Sequence, residues 1–278
     1  MRAGPDLASL RVVVEKELLH HDILREMNTA GLLVGMTFIG GTCLRACYGS
    51  SRLSEDLDFT GGEDFTRATL GALAGILVDT LSTKYALHVE VAEPVKETSG
   101  VDTWKMSVIT HPERKDLPAQ RIHIDICAIP SRDRRPMMLR TSYGIDMGTS
   151  GLIIQAQSRE EILADKMLAL AFRSNRIKNR DLWDIAWLKQ QGIELPVAMM
   201  RQKIADRRRG AGEFSTLLRR RTDQLKADPA MRAEFVKEIL RFLPSHIVSE
   251  TVEKADFWVY LTNLLQEEVA RAIGAVRG

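Results

Sequence analysis

The sequence is poor in features that define several protein classes. Only three of its 278 residues are cysteine: Cys43, Cys47 and Cys127. An odd number without zinc or disulfide spacing argues against a disulfide-stapled scaffold. It predicts small buried thiols in a reducing cytoplasm. No apolar run approaches the roughly 18 residues that a membrane helix requires. The opening stretch, MRAGPDLASLRVVVEKELLHHD, is charged throughout and has no signal-peptide core. A cytoplasmic protein without a membrane partner is expected. Net charge is only +2, and 45% of residues are hydrophobic, enough to bury the core of one large domain or two modest ones.

What is present concentrates between Phe38 and Phe59, FIGGTCLRACYGSSRLSEDLDF. A glycine pair, Gly40-Gly41, leaves an apolar run and precedes a candidate helix from Thr42, its potential cap, to Tyr48. Glycine lets backbone approach a ligand closely, and unpaired N–H groups at a helix start attract phosphate. Asp56 and Asp58 follow, alternating with Leu57 and Phe59. In a strand, residues two apart point to one side, roughly 6–7 Å apart. Two carboxylates so placed can hold divalent cations while Leu57 and Phe59 anchor the strand. Arg45 and Arg52 bracket the loop Gly49-Ser50-Ser51, and either could reach a triphosphate. The alternatives for them are surface charge or pairing with Glu55 or Asp56. Ser54 would share the carboxylate face if the strand extends back to it. Its hydroxyl could orient the first carboxylate, and a phosphate added there would repel an incoming anionic substrate.

Hydropathy periods predict an amphipathic helix over residues 7–27, closed by Gly31, and a buried strand over 32–39. A helix is expected over 63–83, and strands over 86–93, 101–110 and 121–129. The last strand alternates Ile122, Ile124 and Ile126 with His123, Asp125 and Cys127, so Asp125 is a lone strand carboxylate that needs a partner. Arg121 is one candidate, and His123 reads as structural. Residues 130–150 read as a loop holding at most a short strand. From Ser158 the pattern is helical. Ser158 and Glu161 form a capping box, S-x-x-E. Lys166 lies inside an apolar stripe and must reach an anion or snorkel outward. Asn179 is a candidate cap for a helix carrying Asp181 and Asp184 on one face. Residues 196–275 read as three or four helices broken near 210–212, 228–229 and 243–244, and the four tryptophans read as core or interface.

The string GGTxLRxxYGxxRxSxDLDF, with its glycine pair and Asp-apolar-Asp-apolar ending, resembles the DNA polymerase β-like nucleotidyltransferases, and within them the AbiEii toxins. The 14 residues between Gly41 and Asp56 fit that branch better than the wider superfamily. The resemblance implies an α+β fold: a mixed-sheet nucleotidyltransferase domain with helices, residues 1–157, then an all-helical domain, 158–278, with the site in the cleft between them. It implies NMP transfer from an NTP with Mg²⁺ or Mn²⁺ on Asp56, Asp58 and a third acid, Asp125; Asp125, or the Asp181/Asp184 pair, would accept the attacking hydroxyl's proton. It gives Ser54 a place in the motif, faces Lys166 to the nucleotide phosphates, and assigns Asp181 and Asp184 to an acidic RDxxD-type motif. A tRNA-modifying toxin with a cognate antitoxin encoded nearby is the implied biology.

Charge placement bears on the acceptor. Arg173, Arg176, Lys178 and Arg180 run without an acid, and Arg201–Arg221 carries eight basic residues against two acidic ones. Such blocks suit a polyanion, and equally a solvated helix surface. RNA, in particular a tRNA 3′ end, is the expected acceptor. The rivals are a protein or small molecule, as for antibiotic adenylyltransferases, and a non-catalytic module, against which intact Asp56, Asp58 and Lys166 speak.

Overall fold

The computed structural model describes residues 9–95 and 100–277. It divides into two compact units, Arg11–Gln157 and Ser158–Gly278, the latter also taking in Ser9 and Leu10. The first two residues of the expected opening helix lie outside the described part.

The first unit is built on a seven-stranded mixed sheet in the order β3-β4-β5-β2-β1-β7-β6. The strands are β1 (Thr37–Ile39), β2 (Leu57–Thr60), β3 (Val89–Ala92), β4 (Val101–Val108), β5 (Gln120–Cys127), β6 (Arg134–Met138) and β7 (Ile153–Gln157). Three helices accompany them: α1 (Arg11–Thr29), α2 (Gly40–Tyr48) and α3 (Leu73–Tyr85). Strand β2 lies at the middle, antiparallel to β1 and parallel to β5. Its alternation sends Leu57 and Phe59 into the core, at 0% and 1% exposure, and Ile122, Ile124 and Ile126 do the same on β5. Phe38 of β1 meets Phe59 with ring centroids 5.1 Å apart.

Several expected elements shift. The strand expected at 32–39 is only Thr37–Ile39, because Gly31 and Gly35 take left-handed conformations, φ 72° and 81°, and turn the chain. The helix expected at 63–83 is a 3₁₀ turn, Arg67–Leu70, followed by α3. The loop expected at 130–150 holds β6, the short strand it allows for, but β7 after it is unexpected and pairs in parallel with β1. Helix α1 buries more polar groups than its apolar period predicts. Asp22, fully buried, binds Arg25 at 2.8 Å, Lys84 at 2.5 Å and the Tyr85 hydroxyl, tying α1 to α3.

The second unit is helical: α4 (Arg159–Phe172), α5 (Asn179–Gln190), α6 (Val197–Asp206), α7 (Ala211–Ala227), α8 (Ala230–Ile239), the short α9 (Ser245–Ile247) with a π turn, and α10 (Ala255–Arg277). Ser158 caps α4 by accepting the Glu161 amide at 3.1 Å, as its capping-box spacing predicts. Asn179 does not cap α5; its amide reaches Glu238 at 3.1 Å. Helix α7 packs against α4 and α10. Trp104 and Trp183 are buried, and Trp258 joins an aromatic cluster around Phe235 and Phe257. Among the described residues no helix is long and apolar enough to cross a membrane.

A buried lysine with two acidic partners ties α6 to α4 in this unit's core. Lys203 on α6, 1% exposed, meets Glu161 at 2.5 Å and Asp165 at 3.1 Å. Removing one partner strands a charge in an apolar interior. Lys203→Ala is expected to cost about 3–5 kcal/mol, read as a lower urea midpoint, with part of the loss recovered in Lys203→Met paired with Glu161→Leu.

Candidate active site

The β2–β5 register decides where the acids go. Parallel pairing sets Asp58 opposite Asp125, and matched partners on neighbouring strands share a face. Asp56 lies one residue before β2 begins. Its Oδ1 accepts the His123 amide at 3.1 Å, so this carboxylate caps the end of the β2–β5 ladder, which starts at Leu57 opposite Ile124. The His123 ring lies 3.7 Å from the same oxygen, half-exposed. Asp125 finds its partner in Thr103 of β4, whose hydroxyl donates to Oδ1 at 2.6 Å. The expected pairing with Arg121 is not the one it makes with that oxygen.

Gly40 stands against Asp58. It has φ 76°, and a β-carbon there would lie 2.8 Å from Asp58 Oδ2. Helix α2 starts at Gly40, two residues earlier than expected, so Thr42 does not cap it. Ile39 is the cap residue and offers no side-chain bond. No acidic residue occupies the first turn. The first amides of α2 therefore keep their pull on an anion beside Asp58.

The linker between the glycines and the acids is pinned from below. Thr42 bonds the Asp56 carbonyl, and its hydroxyl lies 2.7 Å from that of Ser54. Ser54, 6% exposed and outside β2, thus steadies the Asp56 backbone and is not placed to orient its carboxylate. Burial also removes it as an open modification target. Glu17 of α1, 5% exposed, is the residue that sequence reading misses. It accepts the Ser54 amide at 3.0 Å, Arg45 Nε at 3.2 Å and the Tyr143 hydroxyl. Burial and the Glu17 charge together raise the Tyr143 phenol well above its ordinary value. Lys16 and His20 hold Glu55 through its carboxylate, at 2.9 Å, and its carbonyl, at 3.0 Å.

These contacts correct two expectations. Arg45 does not point outward for a triphosphate. Burial disfavours its charge, but Glu17 and Tyr143 more than offset that and raise its pKa. Arg52 is 3% exposed and donates to the Leu53 carbonyl at 2.9 Å. The rest of the motif also has internal work. Tyr48 bonds the Gln157 carbonyl at 2.8 Å, and Gly49, at φ 79°, ends α2 in a left-handed cap.

In the helical unit, Lys166 of α4 lies between two carboxylates of α5, 2.6 Å from Asp181 and 2.8 Å from Asp184. Both acids belong to this cluster. Burial disfavours the Asp181 charge, yet Lys166, Lys178 and Arg173 outweigh it and hold its carboxyl below the usual range. The basic block on α6 and α7 is partly internal, since Lys203 and Arg207 bind Asp165 while Arg208, Arg209, Arg219 and Arg220 are exposed.

Among the described residues no group of three or more histidine, cysteine, aspartate and glutamate side chains converges as an ion site. The donor chemistry nevertheless suits a hard cation. Asp58 and Asp125 offer oxygen only, on adjacent strands. Two carboxylates at neighbouring-strand spacing can share one cation between them.

The sequence matches the family model for the nucleotidyl transferase AbiEii toxin of type IV toxin–antitoxin systems over residues 22–263. The chain belongs to this family. It is a nucleotidyltransferase of the toxin kind, and the mixed sheet with a helical C-terminal part is the family's fold. MenT4, a nucleotidyltransferase toxin from Mycobacterium tuberculosis, is 15% identical with a TM-score of 0.54, covering 98% of this chain and 95% of that one. JHP933 from Helicobacter pylori is 18% identical with a TM-score of 0.49, covering 94% and 93%. No curated protein matches the sequence.

Gly40→Ala should cost about 1–2 kcal/mol for the left-handed backbone and push the Asp58 carboxylate aside. A melting curve will show the fold kept, and a transfer assay will show activity down by at least about tenfold, the equivalent of 1.4 kcal/mol. Burial holds His20 down to about 4, and its Nδ1 has no partner among the described residues. The unfolded chain takes up that proton near 6.5, the native one near 4. Stability is therefore intact above pH 6.5 and falls on the order of 3 kcal/mol by pH 4. Urea titrations across that window should give a shallower acid limb for His20→Gln.

Proposed function

We propose that this chain moves a nucleoside monophosphate from an NTP to an RNA acceptor, the 3′ end of a tRNA, and so stops translation and growth. The observation that carries the chemistry is the Asp58–Asp125 register beside the glycine-started α2. The exposed arginines of the helical unit support a polyanionic acceptor.

In this reading the α2 amides receive a phosphate of the NTP. Gly40 allows that approach, and Glu17 holds the loop that carries Asp56. Magnesium or manganese, bound by Asp56, Asp58 and Asp125, would supply charge neutralisation for the triphosphate and lower the acceptor hydroxyl's pKa. Asp125, steadied by Thr103, accepts the proton of the attacking hydroxyl. A bond forms from that oxygen to the α-phosphorus, the α–β anhydride bond breaks, and pyrophosphate leaves. Lys166, oriented by Asp181 and Asp184, is the residue this reading assigns to the nucleotide phosphates. A cognate antitoxin encoded nearby and action against phage infection complete the proposal.

The test is incubation with labelled NTPs, Mg²⁺ and total RNA. Label is expected in tRNA and absent with Asp56→Ala, which should lose at least about 100-fold, the scale of removing transition-state electrostatics. Expression of the wild type should arrest growth and the variant should not. Label in protein or in a small molecule would move the acceptor to that class, and no label from any NTP would sink the transferase reading.

A further inference from the structure

The helical unit contains a cavity that the chemistry above does not use. It measures about 480 Å³ and opens between the end of α4 and the outward side of α7. Phe172, Arg173, Asn175, Arg209, Arg220 and Arg221 shape it, and Glu213 is the acid among its lining residues.

The charge balance is strongly positive. Glu213 is taken by Arg209 at 2.8 Å, and Arg173 shares Asp181 at 3.3 Å. Arg221 donates to the carbonyls of Arg173 and Ser174, at 2.7 and 3.2 Å. Those bonds satisfy the open carbonyls after α4 but leave its charge uncancelled. Arg220 is exposed and makes no ion pair among the described residues. Four guanidinium groups thus stand around the cavity against one glutamate.

The cavity also has an aromatic wall. Phe172 packs on Phe214 at 5.8 Å and carries the Arg209 guanidinium 5.5 Å from its ring centre. The turn that supplies Arg209 has Arg208 in a left-handed conformation, φ 53°, which a non-glycine residue adopts at a cost. Arginine planes beside an aromatic ring are the equipment of single-strand recognition, where bases stack and phosphates pair. The size falls within the about 300–1,000 Å³ of a small-ligand pocket. A splayed nucleotide fits that description better than the flat track needed by a duplex.

We propose that this cavity receives one nucleotide of a single-stranded segment of the acceptor RNA, with its phosphates on Arg220 and Arg221 and its base toward Phe172 and Asn175. The inference rests on RNA being the acceptor, and it names where that RNA is gripped.

The test reads binding and needs no turnover, so it is separable from the transfer assay. Affinity for a short labelled single-stranded RNA is measured by anisotropy across a salt series, beside nucleotide affinity and a melting curve for each variant. Arg220→Glu is expected to weaken RNA binding at least about tenfold, and to flatten the plot of log affinity against log salt by about 0.7 for each phosphate that is no longer neutralised. Arg220→Lys, which keeps the charge, should recover most of the affinity. Lys254→Glu, exposed on the same unit and not among the cavity's lining residues, should weaken binding far less than Arg220→Glu, because exposed charges beyond a Debye length are largely screened. An equal drop in Lys254→Glu would mean bulk charge and overturn the site. So would unchanged RNA affinity, or a weakened nucleotide affinity in its place, which would give the cavity to free NTP. If no RNA takes label yet Arg220→Glu still weakens RNA binding, the cavity stands as an RNA-binding site and the RNA-acceptor reading fails.

Discussion

The constraint on which the rest of the first unit depends is the parallel register between β2 and β5. It sets two carboxylates side by side on one face while four apolar residues lock the other face into the core. A slip of one residue would bury Asp58 and expose Leu57 and Phe59. Near-complete burial of those residues, with Ile124 and Ile126, is what forbids the slip. The two acids are thus held side by side by the hydrophobic packing of the opposite face.

Around that register the supporting contacts come from distant parts of the chain. Glu17 and His20 from α1 hold the Ser54–Glu55 backbone, Thr42 holds Asp56 by its carbonyl, and Thr103 holds Asp125 by its carboxylate. Each contact fixes a backbone or one oxygen. The acids themselves sit where hydrophobic burial, the strongest force available, puts them.

This division explains what was readable in advance. Asp56, Asp58 and the glycine pair are close in sequence, and strand alternation alone put Asp125 on the right face of β5. The helical character of the C-terminal unit and its breaks near 210, 229 and 244 are equally plain from period, glycine and proline, but not the short α9 or the break before α10. Contacts between distant residues were not. Arg45 looks like a substrate ligand until Glu17, 28 residues earlier, is seen to claim it. Lys166 meets Asp181 and Asp184 across two helices, a pairing that no single helical period reveals. Strand β7 was missed because it is short and its only readable signal, two isoleucines, follows a glycine-rich loop. Gly31 and Gly35 shortened β1 by turning a run that hydropathy alone reads as strand.

Cys43 and Cys47 lie one turn apart on α2, both buried, and burial pushes the Cys43 thiol well above its ordinary value. A thiol held protonated away from solvent reacts with alkylating reagents only when its helix opens. Alkylation rates at Cys43 therefore clock the breathing of α2, the helix that starts at the glycine beside Asp58, with no label introduced. Any ligand that settles on that helix start will announce itself as slower modification of a side chain it never touches.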